Sequence, residues 1–104
     1  MEISEEINLK KQLPKPNDLK NFASFFYAFS DDTRLKIIIL LIIKPLCVGD
    51  IAMVLETNQT TVSHQLKILR SLNIVECART GKTITYFIRD ENIENVLNAG
   101  VDCI

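Results

Sequence analysis

Between Asn58 and Arg70 the sequence reads Asn-Gln-Thr-Thr-Val-Ser-His-Gln-Leu-Lys-Ile-Leu-Arg, and helical spacing sorts these residues into two sets. Val62, Leu66 and Leu69 recur at intervals of three and four and form one apolar face. Gln59, Thr60, Ser63, His64 and Lys67 project from the other side, with Thr61 beside them and Arg70 at the end. Amides and hydroxyls of this size exchange hydrogen bonds with base edges, whereas an ammonium or guanidinium meets phosphate oxygens. Such a helix is equipped for non-covalent reading of double-stranded DNA. Gln59, Thr60, Ser63 and His64, in its first two turns, would set sequence preference. Lys67 and Arg70 would hold the backbone. Thr60, Thr61 and Ser63 are equally suited to capping or solvating the helix, and alone the segment would pass for an ordinary amphipathic surface helix.

The other reactive residue types are sparse. His64 is the only histidine, and Cys47, Cys77 and Cys103 are scattered, with no Cys-x-x-Cys pair. A cysteine-histidine catalyst needs a thiol beside its base and donors for an oxyanion, and the sequence offers neither arrangement. A thiol redox enzyme is therefore a remote reading, and no enzyme is expected. Three cysteines leave one unpaired in any intramolecular scheme, which fits free thiols in a reducing compartment.

The elements that must position the Asn58–Arg70 helix follow from periodicity and breakers. Residues 1–16 carry scattered charge and end in Pro14 and Pro16, so they read as an N-terminal arm or a short capping helix, with one domain over 17–104. A first domain helix, about Asp18 to Phe29, places Leu19, Phe22, Phe25, Phe26 and Phe29 at helical spacing, a face broad enough to bury against another chain. Ser30, followed by Asp31 and Asp32, is the expected cap of a second helix reaching about Lys44. Its centre, Ile37 to Ile43, is apolar all round and predicts a wholly buried element ended by Pro45.

A third helix, about Val48 to Leu55, keeps Val48, Ile51, Ala52 and Leu55 on one side, and the short turn Glu56 to Asn58 joins it to the polar helix. Two short helices so joined make a helix-turn-helix unit, with Asn58 as the N-cap of the second and Glu56 where many such units have glycine. After Asn73 the period changes to two. Ile74–Arg79 and Thr83–Arg89, separated by Thr80-Gly81-Lys82, predict a β-hairpin, or wing, carrying Arg79 and Lys82 toward phosphate. Ile93, Val96, Leu97, Val101 and Ile104 then define a last helix with one apolar stripe.

The charge distribution supports the same reading. The 104 residues have a formal net charge of -1, which by itself argues against a nucleic-acid partner. Yet residues 57–89 hold Lys67, Arg70, Arg79, Lys82 and Arg89 against Glu76 alone. With 47% apolar and 24% charged residues the composition suits one small domain helped by oligomerisation. The apolar run Ile37–Ile43 falls well short of the roughly 18 residues a membrane span needs, and the acidic N-terminus lacks a signal peptide's pattern, so a cytoplasmic protein with no membrane partner is expected.

Three segments carry a family resemblance: Phe29-Ser30-Asp31-Asp32-Thr33-Arg34-Leu35-Lys36-Ile37, Leu46-Cys47-Val48-Gly49-Asp50-Ile51-Ala52, and Thr61-Val62-Ser63-His64-Gln65-Leu66-Lys67-Ile68-Leu69-Arg70. In this order, followed by a wing, they resemble the ArsR/SmtB transcriptional repressors over about residues 19–104. The resemblance implies an α+β, mostly helical winged helix-turn-helix, with four helices, two strands and a fifth helix. It implies a homodimer paired through its first and last helices, occupying a near-palindromic operator until an inducer binds.

The family's inducer sites transfer poorly. Many relatives use a Cys-Val-Cys-Asp segment, but here the second cysteine position is Gly49, leaving Cys47 alone. Others use an Asp-x-His pair in the last helix, where this chain has Asp90, Asn92 and Cys103. No ligand-spacing motif for a cofactor is present. The residual candidates are Cys103 acting across a dimer with Cys47 or Asp90 on a soft metal ion, or modification of either thiol. Cys77 is expected to pack. A winged-helix protein-interaction module and a thiol-based metal or redox sensor stand as the alternatives to an operator-binding repressor.

Overall fold

The computed structural model describes all 104 residues. In chain order the elements are α1 (Ile3–Gln12), α2 (Pro16–Tyr27), α3 (Asp32–Ile43), α4 (Val48–Leu55), α5 (Gln59–Ser71), β1 (Val75–Thr80), β2 (Thr83–Ile88) and α6 (Asn92–Asp102). The expected winged order is present, preceded by a further helix over much of the expected arm. That helix has no buried residue, and its Lys10 pairs with Glu6 one turn earlier at 3.3 Å. Pro16 occupies the first turn of α2, where its missing N–H is not needed.

Sequence and structure differ at the α2–α3 junction. Asp31, not Ser30, caps α3: its Oδ2 accepts from the Arg34 N–H at 3.0 Å. Ser30 instead donates its hydroxyl to the Tyr27 carbonyl at 2.7 Å and so closes α2. The carboxylate takes the cap because it is one residue nearer the free amides and carries the charge that the helix pole favours. The expectation of a wholly buried α3 also needs correcting. Ile37, Ile38 and Leu41 are buried, but Ile39 is 46% and Ile43 71% exposed. Both lie on one face, one turn apart, and α3 packs on α4, α5 and β2 with its remaining faces.

The core is a single cluster in which Ile37, Ile38 and Leu41 of α3 meet Ile51 and Ala52 of α4, Val62, Leu66 and Leu69 of α5, and Ile74, Val75 and Ile93. The helix-turn-helix turn passes through Glu56 in the left-handed region at φ 53°, a conformation that disfavours a non-glycine side chain. The Thr57 N–H bonds the Ala52 carbonyl at 3.0 Å across it. The wing's strands are antiparallel with Val75 opposite Ile88 and Thr80 opposite Thr83, so the connection is a two-residue turn, Gly81-Lys82, with Gly81 at φ 64°. Thr80 thus belongs to β1 and not to the turn, because left-handed Gly81 lets the hairpin close in two residues.

The wing is fixed at both sides of its base. Leu46 exchanges backbone hydrogen bonds with Tyr86, at 3.1 and 2.8 Å, tying the segment before α4 to β2. Arg89 donates Nη1 to Asn73 Oδ1 at 2.7 Å, and its N–H bonds the Ile74 carbonyl at 3.1 Å. The hairpin is therefore held in a fixed relation to α4 and to the end of α5.

Candidate nucleic-acid interface

Helix α5 starts where Asn58 accepts the Thr61 N–H on its side-chain Oδ1 at 2.7 Å, the cap expected from the sequence. Val62, Leu66 and Leu69 are completely buried. Their burial sets the rotation of the helix, and it leaves Gln59, Thr60, Ser63, His64, Lys67 and Arg70 exposed, with Thr61 half-buried. The start of α4 adjoins the first turn of α5: a Cβ on Gly49 would lie 3.7 Å from Gln59 Nε2. The site residues expected on α5 thus share one continuous solvent face, with Thr61 at its margin.

The wing adds Arg79, exposed near the end of β1, and Lys82, exposed in the turn. Lys67, Arg79 and Lys82 have no carboxylate within ion-pair distance; the two ion pairs of the chain are Lys10–Glu6 and Arg70–Glu76. The second pair was missed from sequence. Glu76 stands on β1, and its Oε1 lies 3.4 Å from Arg70 Nε, so Arg70 is already partly neutralised. Periodicity assigns residues to faces within an element but says nothing of which acid on the next element reaches them. Arg89, part of the same basic tract, serves the base of the wing through Asn73 and does not stand free.

The inducer candidates are not gathered in one protomer. Cys47 is half-buried just before α4, Cys103 is exposed at the end of α6, and Asp90 uses Oδ1 to accept the Asn92 N–H at 2.9 Å. Nowhere do three histidine, cysteine, aspartate or glutamate side chains come together as a metal would require. The residues present therefore do not fit a metal site within the single chain. Cys77 is half-buried in β1, opposite Tyr86.

A second surface lies away from the polar face of α5. Phe26 and Phe29, Leu35 of α3, and Leu97, Val101 and Ile104 line an open apolar groove of about 610 Å³. Beside it Leu19 and Phe22 of α2 are more than half exposed, and so is Val101. Apolar side chains of α2 and α6 are thus left uncovered in the single protomer.

Comparison with known proteins agrees with this geometry. A family model described as bacterial regulatory protein, arsR family, matches residues 31–76. A CadC homolog from Staphylococcus aureus, a cadmium resistance transcriptional regulatory protein, is 38% identical over 89 residues, covering 85% of this chain and 73% of the relative. CadC from Listeria innocua, with the same description, is 34% identical over 99 residues, covering 94% of this chain and 83% of its own. Among solved structures, the homodimeric winged helix-turn-helix DNA-binding domain Mb0332 from Mycobacterium bovis superposes with a TM-score of 0.76 at 27% identity, over 88% of this chain and 90% of that one.

Proposed function

Because the chain belongs to the ArsR/SmtB family of transcriptional repressors, which are DNA-binding regulators and not enzymes, we propose that it works as a homodimer on a near-palindromic operator, read by α5 and gripped by the wing. The observation that carries this reading is the complete burial of Val62, Leu66 and Leu69, which turns the hydrogen-bonding side chains of α5 outward beside three unpaired cations. In the major groove, Gln59, Thr60, Ser63 and His64 would face bases, with Thr61 at the edge of the contact. Lys67, Arg70, Arg79 and Lys82 would neutralise phosphates, giving affinity that weakens with salt.

Pairing through α2 and α6 would cover the apolar groove and relate two α5 helices by a two-fold axis, bringing them to successive major grooves roughly 34 Å apart. The homodimeric state of the Mycobacterium bovis domain supports this assembly. No helix is long and apolar enough to cross a membrane, and we place the repressor in the cytoplasm, where its DNA is.

The names of the CadC relatives connect them to cadmium resistance. In this chain a soft cation would need ligands from both protomers: Cys103 of one with the partner subunit's Cys47 or Asp90. Direct modification of either thiol is the other route to induction. Selection of bound sequences from a random DNA pool tests the main reading. Enrichment of a two-fold symmetric motif is expected, and the absence of any enriched motif would refute operator binding.

A further inference from the structure

Arg34 is the one charged residue buried in this protein, 5% exposed, and neither ion pair of the chain involves it. Burying a guanidinium is strongly unfavourable unless its donors find acceptors, and here they are neutral. Nη2 donates to the Tyr27 carbonyl at 3.1 Å and Nε to the Ala28 carbonyl at 3.4 Å, while the guanidinium carbon stands 4.6 Å from the centroid of the Tyr27 ring. Those carbonyls end α2, where the negative pole of the helix favours a cation. The remaining arm crosses to α5: Nη1 donates to Gln65 Oε1 at 3.3 Å. One planar group on α3 thereby joins the end of α2 to the middle of α5.

We propose that Arg34 is a positioning residue for DNA recognition, which through Gln65 fixes the setting of α5 relative to α2. The inference rests on the reading of α5 as the recognition helix and α2 as a pairing helix. In a two-fold dimer, the separation of the two α5 helices depends on how each is held against its own α2. The Arg34–Gln65 bond is the only side-chain hydrogen bond linking α5 to α2 or α3. Apolar contacts between helices permit small slides and rotations, whereas the fork geometry of a guanidinium with three acceptors in fixed directions does not. Gln65 is half-buried and engaged with Arg34, so its role differs from that of exposed His64 beside it.

The operator enriched by the wild-type protein from random DNA serves as probe, together with versions whose half-sites stand one base pair closer and one farther apart. Arg34→Lys, Gln65→Leu and the double variant are titrated with each, and dimer dissociation, thermal unfolding and the salt slope are measured in parallel. Each single variant is expected to bind the native spacing about fivefold more weakly, a loss on the scale of one hydrogen bond. Each should also discriminate less between spacings, with dimer dissociation and salt slope unchanged. The double variant should bind no more weakly than the weaker single one, because both remove the same bridge. Wild-type discrimination in Gln65→Leu, or additive losses in the double variant, would overturn the proposal. Gln65→Leu leaves the buried cation and its carbonyl partners in place, so the test survives a folding failure of Arg34→Lys. A wild-type protein that enriches no sequence overturns the DNA reading, and this inference with it.

Discussion

At the scale of single residues, the interface separates cations that stand free from one that does not. Lys67 and Arg79 have no acidic partner, so Lys67→Ala or Arg79→Ala should each lower the salt slope of operator binding by about two, one phosphate contact being lost from each protomer of the dimer. Arg70 is held by Glu76 across 3.4 Å, both side chains being partly exposed. An exposed pair of this kind contributes little to stability, but it competes with phosphate for the same guanidinium. Glu76→Gln should therefore tighten operator binding about threefold at low salt, with the difference shrinking as salt rises. Unchanged or weaker binding in a titration series would show that Glu76 instead orients Arg70. For the thiols, if Cys103 helps to bridge a soft cation between protomers, operator affinity measured with and without cadmium ion should change in the wild type and not in Cys103→Ser. Identical responses in the two proteins would exclude Cys103 from any such site.

At the scale of elements, the starts of α3 and α5 are set by local side-chain caps that the sequence partly announces. Asn58 caps α5 through one hydrogen bond to the Thr61 N–H, and Asn58→Ala should destabilise the domain by about 1 kcal/mol in chemical unfolding. A loss within experimental error would mean that packing against α4 alone sets the start of α5. Asn58 was legible because a capping side chain acts over three residues. The cap of α3 was misassigned by one position, since Ser30, Asp31 and Asp32 are all competent and the Ser30 hydroxyl is drawn back to the Tyr27 carbonyl. The hairpin was legible in kind but not in register. Pairing of Thr80 with Thr83 depends on how Gly81 closes the turn, and composition does not distinguish two-residue from three-residue connections.

At the scale of the whole molecule, the unburied apolar side chains predict the assembly. Phe22 and Val101 are both more than half exposed in the protomer, so replacing them should spare its folding and act on association. Phe22→Glu and Val101→Asp are expected to shift the protein toward monomer in sedimentation, and operator affinity should fall by at least a factor of ten, as each half-site is then bound alone. A variant that stays dimeric would move the pairing surface elsewhere, and α1, exposed along its length, would be the next segment to test.

The sequence by itself determined which side chains share the polar face of α5 and that a helix-turn-helix and a wing would carry them. Helical periodicity, capping and turn chemistry act over a few residues, so they survive in a linear string. The segments Asn58–Arg70, Val48–Leu55 and the Gly81 turn each announced themselves in this way. Tertiary structure alone decided which partners those residues meet. Glu76 reaches Arg70, Arg34 reaches Gln65 over 31 positions, and Ile39 and Ile43 stay exposed within an apolar run. These outcomes follow from the angles at which α3, α5 and β1 pack. Such angles are set by many side chains acting together, and no local pattern in the sequence records them.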